Sequence, residues 1–145
     1  MTKSFCDSPP LQLLLLTGII TAFAGCTDAK PKRVPVSGTV TIDGAPLTFG
    51  SIMFINEATR PAGSRIDAQG RFTLSCYEAD DGAVLGHHRV KVTAAQPYGQ
   101  DAVRWLAPKK YADEKTSAIE FDITEPVTDL NVNLTWAGKQ SFIER

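Results

Sequence analysis

The chain reads as an all-β protein, one β-sandwich of about seven strands behind an N-terminal apolar segment. Three observations predict this. Apolar and polar residues alternate with period 2 near both ends of the body, over Val34–Ile42 and Asp129–Trp136, the pattern of strands buried on one face. Between them, Gly, Pro and Asp turn signals recur at short spacing. No ten-residue stretch after Cys26 carries the apolar stripe of a helix.

The N-terminal segment comes first. Lys3 is the only positive charge before the apolar run Leu11–Ala24. That run, about 14 residues long, suits a signal-peptide core and is too short to span a bilayer as a helix. It ends in Phe23-Ala24-Gly25-Cys26, which resembles a lipobox, although Phe23 stands where leucine is usual. Residues 1–25 are therefore expected to form a signal-peptide helix, and Cys26 to be the lipidation site at the mature N-terminus. Each buried CH₂ of an acyl chain contributes about 0.8 kcal/mol, and stable anchoring takes about two chains. A diacylglyceryl group with an N-acyl chain (palmitate, for instance) meets that need. Thr27 rather than Asp follows Cys26, so placement in the outer membrane, facing the periplasm or the cell surface, is favoured. A plain secreted protein and an uncut signal anchor are the alternatives.

Cleavage leaves one domain's worth of chain. It removes Lys3 and Asp7 together, so the net charge of −1 is unchanged. That balance gives no electrostatic case for nucleic acid. Of the three cysteines, Cys6 is removed and Cys26 acylated. Only Cys76 remains, so no intrachain disulfide can form, and its alternating context reads as a buried small hydrophobe.

Residues 26–33 read as a polar, basic tether with Lys30, Lys32 and Arg33, long enough to lift a domain slightly off a membrane. The β-sandwich is expected over 34–136. Val34, Val36, Gly38, Val40 and Ile42 share one parity of its first strand. Asp43-Gly44 is a hairpin signal, with the return strand expected at Ile52 and Phe54. Ser51–Ile55 is apolar on both parities, as if covered on both faces. Ser64–Asp67 and Arg71–Ser75 flank the turn Ala68-Gln69-Gly70 and read as a second hairpin, with Phe72 and Leu74 inward. Tyr77–Gly86 is an acidic loop, and His87–Ala95 a strand with His88, Val90 and Val92 on one parity. Gln96–Ser117 is the longest irregular stretch, and its aromatics suggest that it packs back on the sheets. Ala118–Ile123 and Asp129–Trp136 close the domain. Residues 137–145 read as a frayed C-terminal tail, though Phe142 and Ile143 can dock.

Several motifs resemble one family. Val36-Ser37-Gly38-Thr39-Val40-Thr41-Ile42-Asp43-Gly44-Ala45-Pro46-Leu47 resembles the V-x-G-x-V-x-x-x-G-x-P-L opening of carboxypeptidase-regulatory-like and transthyretin-like domains. Asp67-Ala68-Gln69-Gly70-Arg71-Phe72 resembles their D-x-x-G-x-F hallmark. The strand at Gly86–Val92 resembles a third, with Leu85 in place of proline and His88 in place of an aromatic. The run Pro108-Lys109-Lys110-Tyr111-Ala112-Asp113-Glu114-Lys115-Thr116-Ser117 is similar to one in small planctomycete lipoproteins. The resemblance spans most of Val34–Trp136. It implies a prealbumin-like, Ig-like β-sandwich used as an accessory, with no catalytic residues.

The residues themselves offer few sites. His87 and His88 are the only histidines, and neighbours in a strand point to opposite faces, so no metal site is expected. Glu78, Asp80 and Asp81 lack the alternate spacing of a calcium loop. No G-x-S-x-G or phosphate-binding glycine loop is present. Trp105, Leu106, Pro108 and Tyr111 form the one loop cluster with binding character. Trp105 and Tyr111 are its partner-binding candidates, unless they plug the sandwich end. The expected function is a non-enzymatic cell-envelope lipoprotein, a structural or binding module without cofactors. Its partners would be the membrane, through Cys26, and a protein or glycan. The alternative is an accessory carbohydrate- or peptide-binding module for an enzyme encoded elsewhere. A transthyretin-like hydrolase is a third reading, disfavoured because the chain ends in Phe142-Ile143-Glu144-Arg145 without that group's terminal motif.

Overall fold

The computed structural model describes residues 30–145. The signal segment, Cys26 and the start of the tether lie outside them. The described residues are all-β, with one 3-10 turn at Lys109–Ala112, and none of their helices is long and apolar enough to cross a membrane.

In chain order the strands are β1 (Arg33–Val34), β2 (Val36–Ile42), β3 (Ala45–Pro46), β4 (Gly50–Ile55), β5 (Ala62–Ile66), β6 (Arg71–Thr73), β7 (Ala83–Val84), β8 (Gly86–Thr93), β9 (Ala95–Pro97), β10 (Val103–Trp105), β11 (Ile119–Ile123), β12 (Val127–Leu134) and β13 (Phe142–Glu144). One sheet runs β11-β8-β4-β5. A second runs β12-β2-β3, with β6 also on β2. A third, β13-β10-β9, and the small pair β1-β7 complete the set.

The first two sheets share one apolar core. Ile52, Phe54, Val90 and Val92 enter it from one, and Val36, Val40, Phe72, Val132 and Leu134 from the other. Phe54 and Phe72 meet across it with ring centroids 6.3 Å apart. Each such side chain, fully buried, contributes about 1.5–3 kcal/mol. The parities read from the sequence explain which residues these are: Val36 and Val40 are 0 % exposed, as are Ile52 and Phe54.

β2 and β12 run parallel, in the register Leu130↔Gly38 to Leu134↔Ile42, after a register shift between Val127 and Leu130. There the backbones close up: a Cβ on Gly38 would lie 1.9 Å from the Leu130 carbonyl oxygen. Only glycine fits at that position.

Both hairpins differ from expectation. Asp43 (φ +48°) and Gly44 (φ +83°) form a two-residue turn with the backbone signs of type I′. Its return arm is only β3, pairing Thr41↔Pro46 and Ile42↔Ala45. Pro46 cannot extend the ladder by donating an N–H, and β4 joins the other sheet between β5 and β8. There Met53 and Ile55 stay half-buried, so β4 is covered on one face rather than both. The Asp67–Arg71 turn forms as predicted, with the Asp67 carboxylate accepting the N–H groups of Gln69 and Arg71 at 2.9 and 2.8 Å. Its arms then diverge, β5 pairing with β4 and β6 with β2, and meet again at Gly63 and Ser75, which exchange backbone hydrogen bonds of 2.9 and 3.0 Å, so the hairpin is bridged at both ends and spans the two sheets.

Two segments expected to be irregular are structured. The stretch Gln96–Ser117 contains β10 and the 3-10 turn, and the tail 137–145 contains β13. β10 pairs with β13 through Trp105↔Phe142, and the stacking of those two rings is what the alternation pattern could not register.

The tether also ends sooner than expected. Lys30 pairs with Glu78 at 3.0 Å and Arg33 with Asp81 at 2.7 Å. The second contact is ionic rather than a directed hydrogen bond, because the Arg33 Nε–H lacks hydrogen-bond geometry. Both cations also lie over the Tyr77 ring, at 5.7 and 5.0 Å from its centroid. With β1 paired to β7, Lys30–Arg33 belong to the domain.

Candidate functional site

The candidate site lies at the end of the domain where β2 and β12 finish. The Asp43 carboxylate, held out by the I′ turn, accepts the Thr135 hydroxyl at 2.7 Å and the Trp136 N–H at 3.2 Å. This fixes where the chain leaves β12 and presents Trp136. Phe142 of β13 meets Trp136 edge-on, with centroids 6.4 Å apart at 78°, and stacks on Trp105 of β10 at 6.4 Å and 17°. Three rings from three segments thus make one platform.

Charged groups order its margin. Glu144 accepts the Trp105 indole N–H at 3.0 Å and pairs with Lys109 through its other oxygen. The Lys109 hydrogen bond, then that of Trp105, holds the Glu144 carboxyl below the usual carboxylate range. Lys109 lies 5.2 Å from the Trp105 centroid and 5.9 Å from that of Phe142, a cation–π arrangement. Beside the rings opens a mostly apolar cleft of about 290 Å³, lined by Pro108, Lys109, Lys110, Trp136, Lys139, Gln140 and Phe142. Phe142 is 40 % exposed at its mouth.

Trp105, expected as a contact residue, lies half-buried in this ring cluster and does not line the cleft. Tyr111 is not on the rim. It is 5 % exposed and belongs to the core, its ring drawn in by the 3-10 turn. Its hydroxyl accepts the Thr135 N–H at 3.2 Å and faces the Thr135 carbonyl at 3.5 Å, so it supports the platform from beneath. Tyr111→Phe is expected to cost about 0.5–1.5 kcal/mol, the net worth of an ordinary hydrogen bond, since the partly exposed Thr135 N–H loses its acceptor; an unchanged denaturation midpoint would show that the hydroxyl carries no load. Phe142, Lys109 and Lys139 were not offered as site residues by the sequence, and Trp136 reads there as the last inward residue after Leu130, Val132 and Leu134, whereas it follows β12 and is only half-buried. The apolar pair Phe142-Ile143 in an otherwise polar tail was the signal for β13.

No family model, curated protein or solved structure matches the chain.

The remaining candidates fall elsewhere. His87 is a surface residue 2.9 Å from Asp122 and 3.6 Å from Glu120. His88 is 1 % exposed, 6.0 Å from the Phe54 centroid, with Nε2–H donating to the Val84 carbonyl at 2.7 Å. They occupy opposite faces of β8 and share no site. Asp81 is occupied by backbone N–H groups of Cys76, Tyr77 and Glu78, and among the described residues no group of three acidic, His or Cys side chains is placed to hold a metal ion. Cys76 is buried, its thiol donating to the Arg60 carbonyl at 3.2 Å. Burial pushes its pKa up, which works against thiolate chemistry. Cys26 lies outside the described residues.

Proposed function

We propose that the protein is a cell-envelope lipoprotein, held to the outer membrane through acylated Cys26, whose prealbumin-like β-sandwich serves as a non-catalytic binding module. The observation that carries the binding role is the platform of Trp105, Phe142 and Trp136 with its adjoining cleft. Rings gathered from separate segments and left open at one end suit a flat apolar face with polar edges, as in a glycan ring or an extended peptide. The accessory reading, a module that brings such a polymer to an enzyme encoded elsewhere, draws on the same cleft.

Two measurements test this. Cys26→Ala is expected to abolish acyl labelling and to release the protein from the membrane fraction; retained labelling and membrane association would overturn the lipoprotein reading. The full-length protein is expected to bind members of a panel of immobilised cell-wall glycans and envelope peptides. The Trp136→Ala/Phe142→Ala double variant should bind about tenfold more weakly or worse, as expected when central aromatic contacts are lost. Equal binding by that variant would remove the platform from the function.

A further inference from the structure

The docked tether decides how such a lipoprotein must stand. Lys30 is held by Glu78 and Arg33 by Asp81, both against Tyr77. Between Cys26 and Lys30 lie only Thr27, Asp28 and Ala29. Even fully extended, that segment reaches about 14 Å, less than the thickness of the domain along β2.

The fold then fixes which end is near and which is far. β1 and the start of β2 lie at the tether end. β2 has seven residues and so runs about 23 Å, to the Asp43-Gly44 turn. β12 is parallel to it, from Val127 beside Val36 to Leu134 beside Ile42. Trp136 follows β12 and is tied to Asp43, with Phe142 packed on it. The aromatic platform is therefore at the opposite end from the tether.

We propose that the end bearing Lys32, Arg60 and Tyr77 lies against the bilayer surface, and that the Trp105–Phe142–Trp136 platform points away from it. The inference rests on acylation of Cys26. Its occupant is a lipid headgroup layer, brought there by the short tether rather than by net charge. At this end Glu78 and Asp81 are engaged by Lys30 and Arg33. Lys32 and Arg60 are exposed cations here, beside the exposed anions Asp80 and Glu125 and the Glu57–Arg89 ion pair. With no excess of cations at this end, it is the short acylated tether, not attraction to anionic lipid, that holds it against the headgroups.

The test uses the full-length acylated protein in phosphatidylethanolamine–phosphatidylglycerol vesicles that carry a headgroup quencher. Fluorophores are placed singly through Lys32→Cys or Lys139→Cys and labelled under native conditions, where Cys76 is buried. The Lys32 label is expected to be quenched several-fold more than the Lys139 label, with little dependence on salt. A flexible linker inserted between Ala29 and Lys30 should erase the difference while the protein stays membrane-bound. Equal quenching of the two labels, or stronger quenching at Lys139, on protein whose Cys26 acylation is confirmed by mass would overturn the orientation alone. Absence of the acyl mass would overturn the lipoprotein reading and the orientation with it.

Discussion

Replacing Asp81 with alanine is expected to remove about 3 kcal/mol of stability, the upper end of the range for hydrogen-bonding groups left without their partner, read as a lower denaturant midpoint. Its carboxylate accepts the N–H groups of Cys76, Glu78 and Tyr77 at 2.6, 3.0 and 3.1 Å and faces Arg33 at 2.7 Å. The two side chains are only 13 % and 19 % exposed. Without Asp81, three loop N–H groups lose their acceptor and the Arg33 guanidinium is left unpaired beneath Tyr77. β1 and β7, which this loop holds together, should open first. Burial by itself would raise the Asp81 pKa. The bonds from Cys76, Glu78 and Tyr77 and the charge of Arg33 outweigh it, and the carboxyl titrates below its ordinary value. A carboxyl more acidic in the folded than in the unfolded chain gives its full stabilisation above the unfolded pKa and loses it as pH falls through the folded one. Stability should thus decline in acid, below the ordinary carboxylate range, and Asp81→Asn should flatten that decline. An Asn variant with the wild-type acid slope would show that the loop does not depend on this charge.

The second large effect is expected at Gly38. Alanine there would place its Cβ 1.9 Å from the Leu130 oxygen and 2.7 Å from the Leu130 carbonyl carbon, both backbone atoms that no rotamer change can move. Either β12 shifts off β2 or the core residues Val36, Val40, Val132 and Leu134 lose their packing. A loss of about 3 kcal/mol, the upper part of the range for overpacking, is expected in chemical unfolding. A variant of wild-type stability would mean that β2 and β12 do not approach as described.

These two positions show how differently the sequence exposed its structure. Gly38 sits in an alternating run, and the inward set Val36, Val40, Val132 and Leu134 was legible because period 2 on a half-buried strand leaves no other assignment. The Asp67 turn and the I′ signal at Asp43-Gly44 were legible for the same local reason. Pairing was not. Nothing local distinguishes a strand that turns back, as β3 does, from one that crosses to another sheet, as β4 does. The site suffered most from this. Trp105 stood out as a loop aromatic, but Trp136 and Phe142 reach it only through the β10–β13 pairing, a contact made by a segment with little alternation of its own. Tyr111 looked equivalent to Trp105 in sequence. Its burial follows from the hydroxyl's partner, Thr135, 24 residues away along the chain.

The parallel pairing of β2 with β12 also governs how the molecule comes into being. Thr41 and Asn133, bonded side chain to side chain, are 92 residues apart, and a parallel pair so distant must close that long a loop before it is rewarded. The central ladder of one sheet therefore cannot exist until β12 has been synthesised. Folding should be slow on the scale of small domains, milliseconds to seconds, and C-terminal truncation before Leu134 should leave no stable fragment. A domain whose β2–β12 ladder closes only after β12 has been made is suited to crossing a membrane before it folds, as the proposed lipoprotein reading requires.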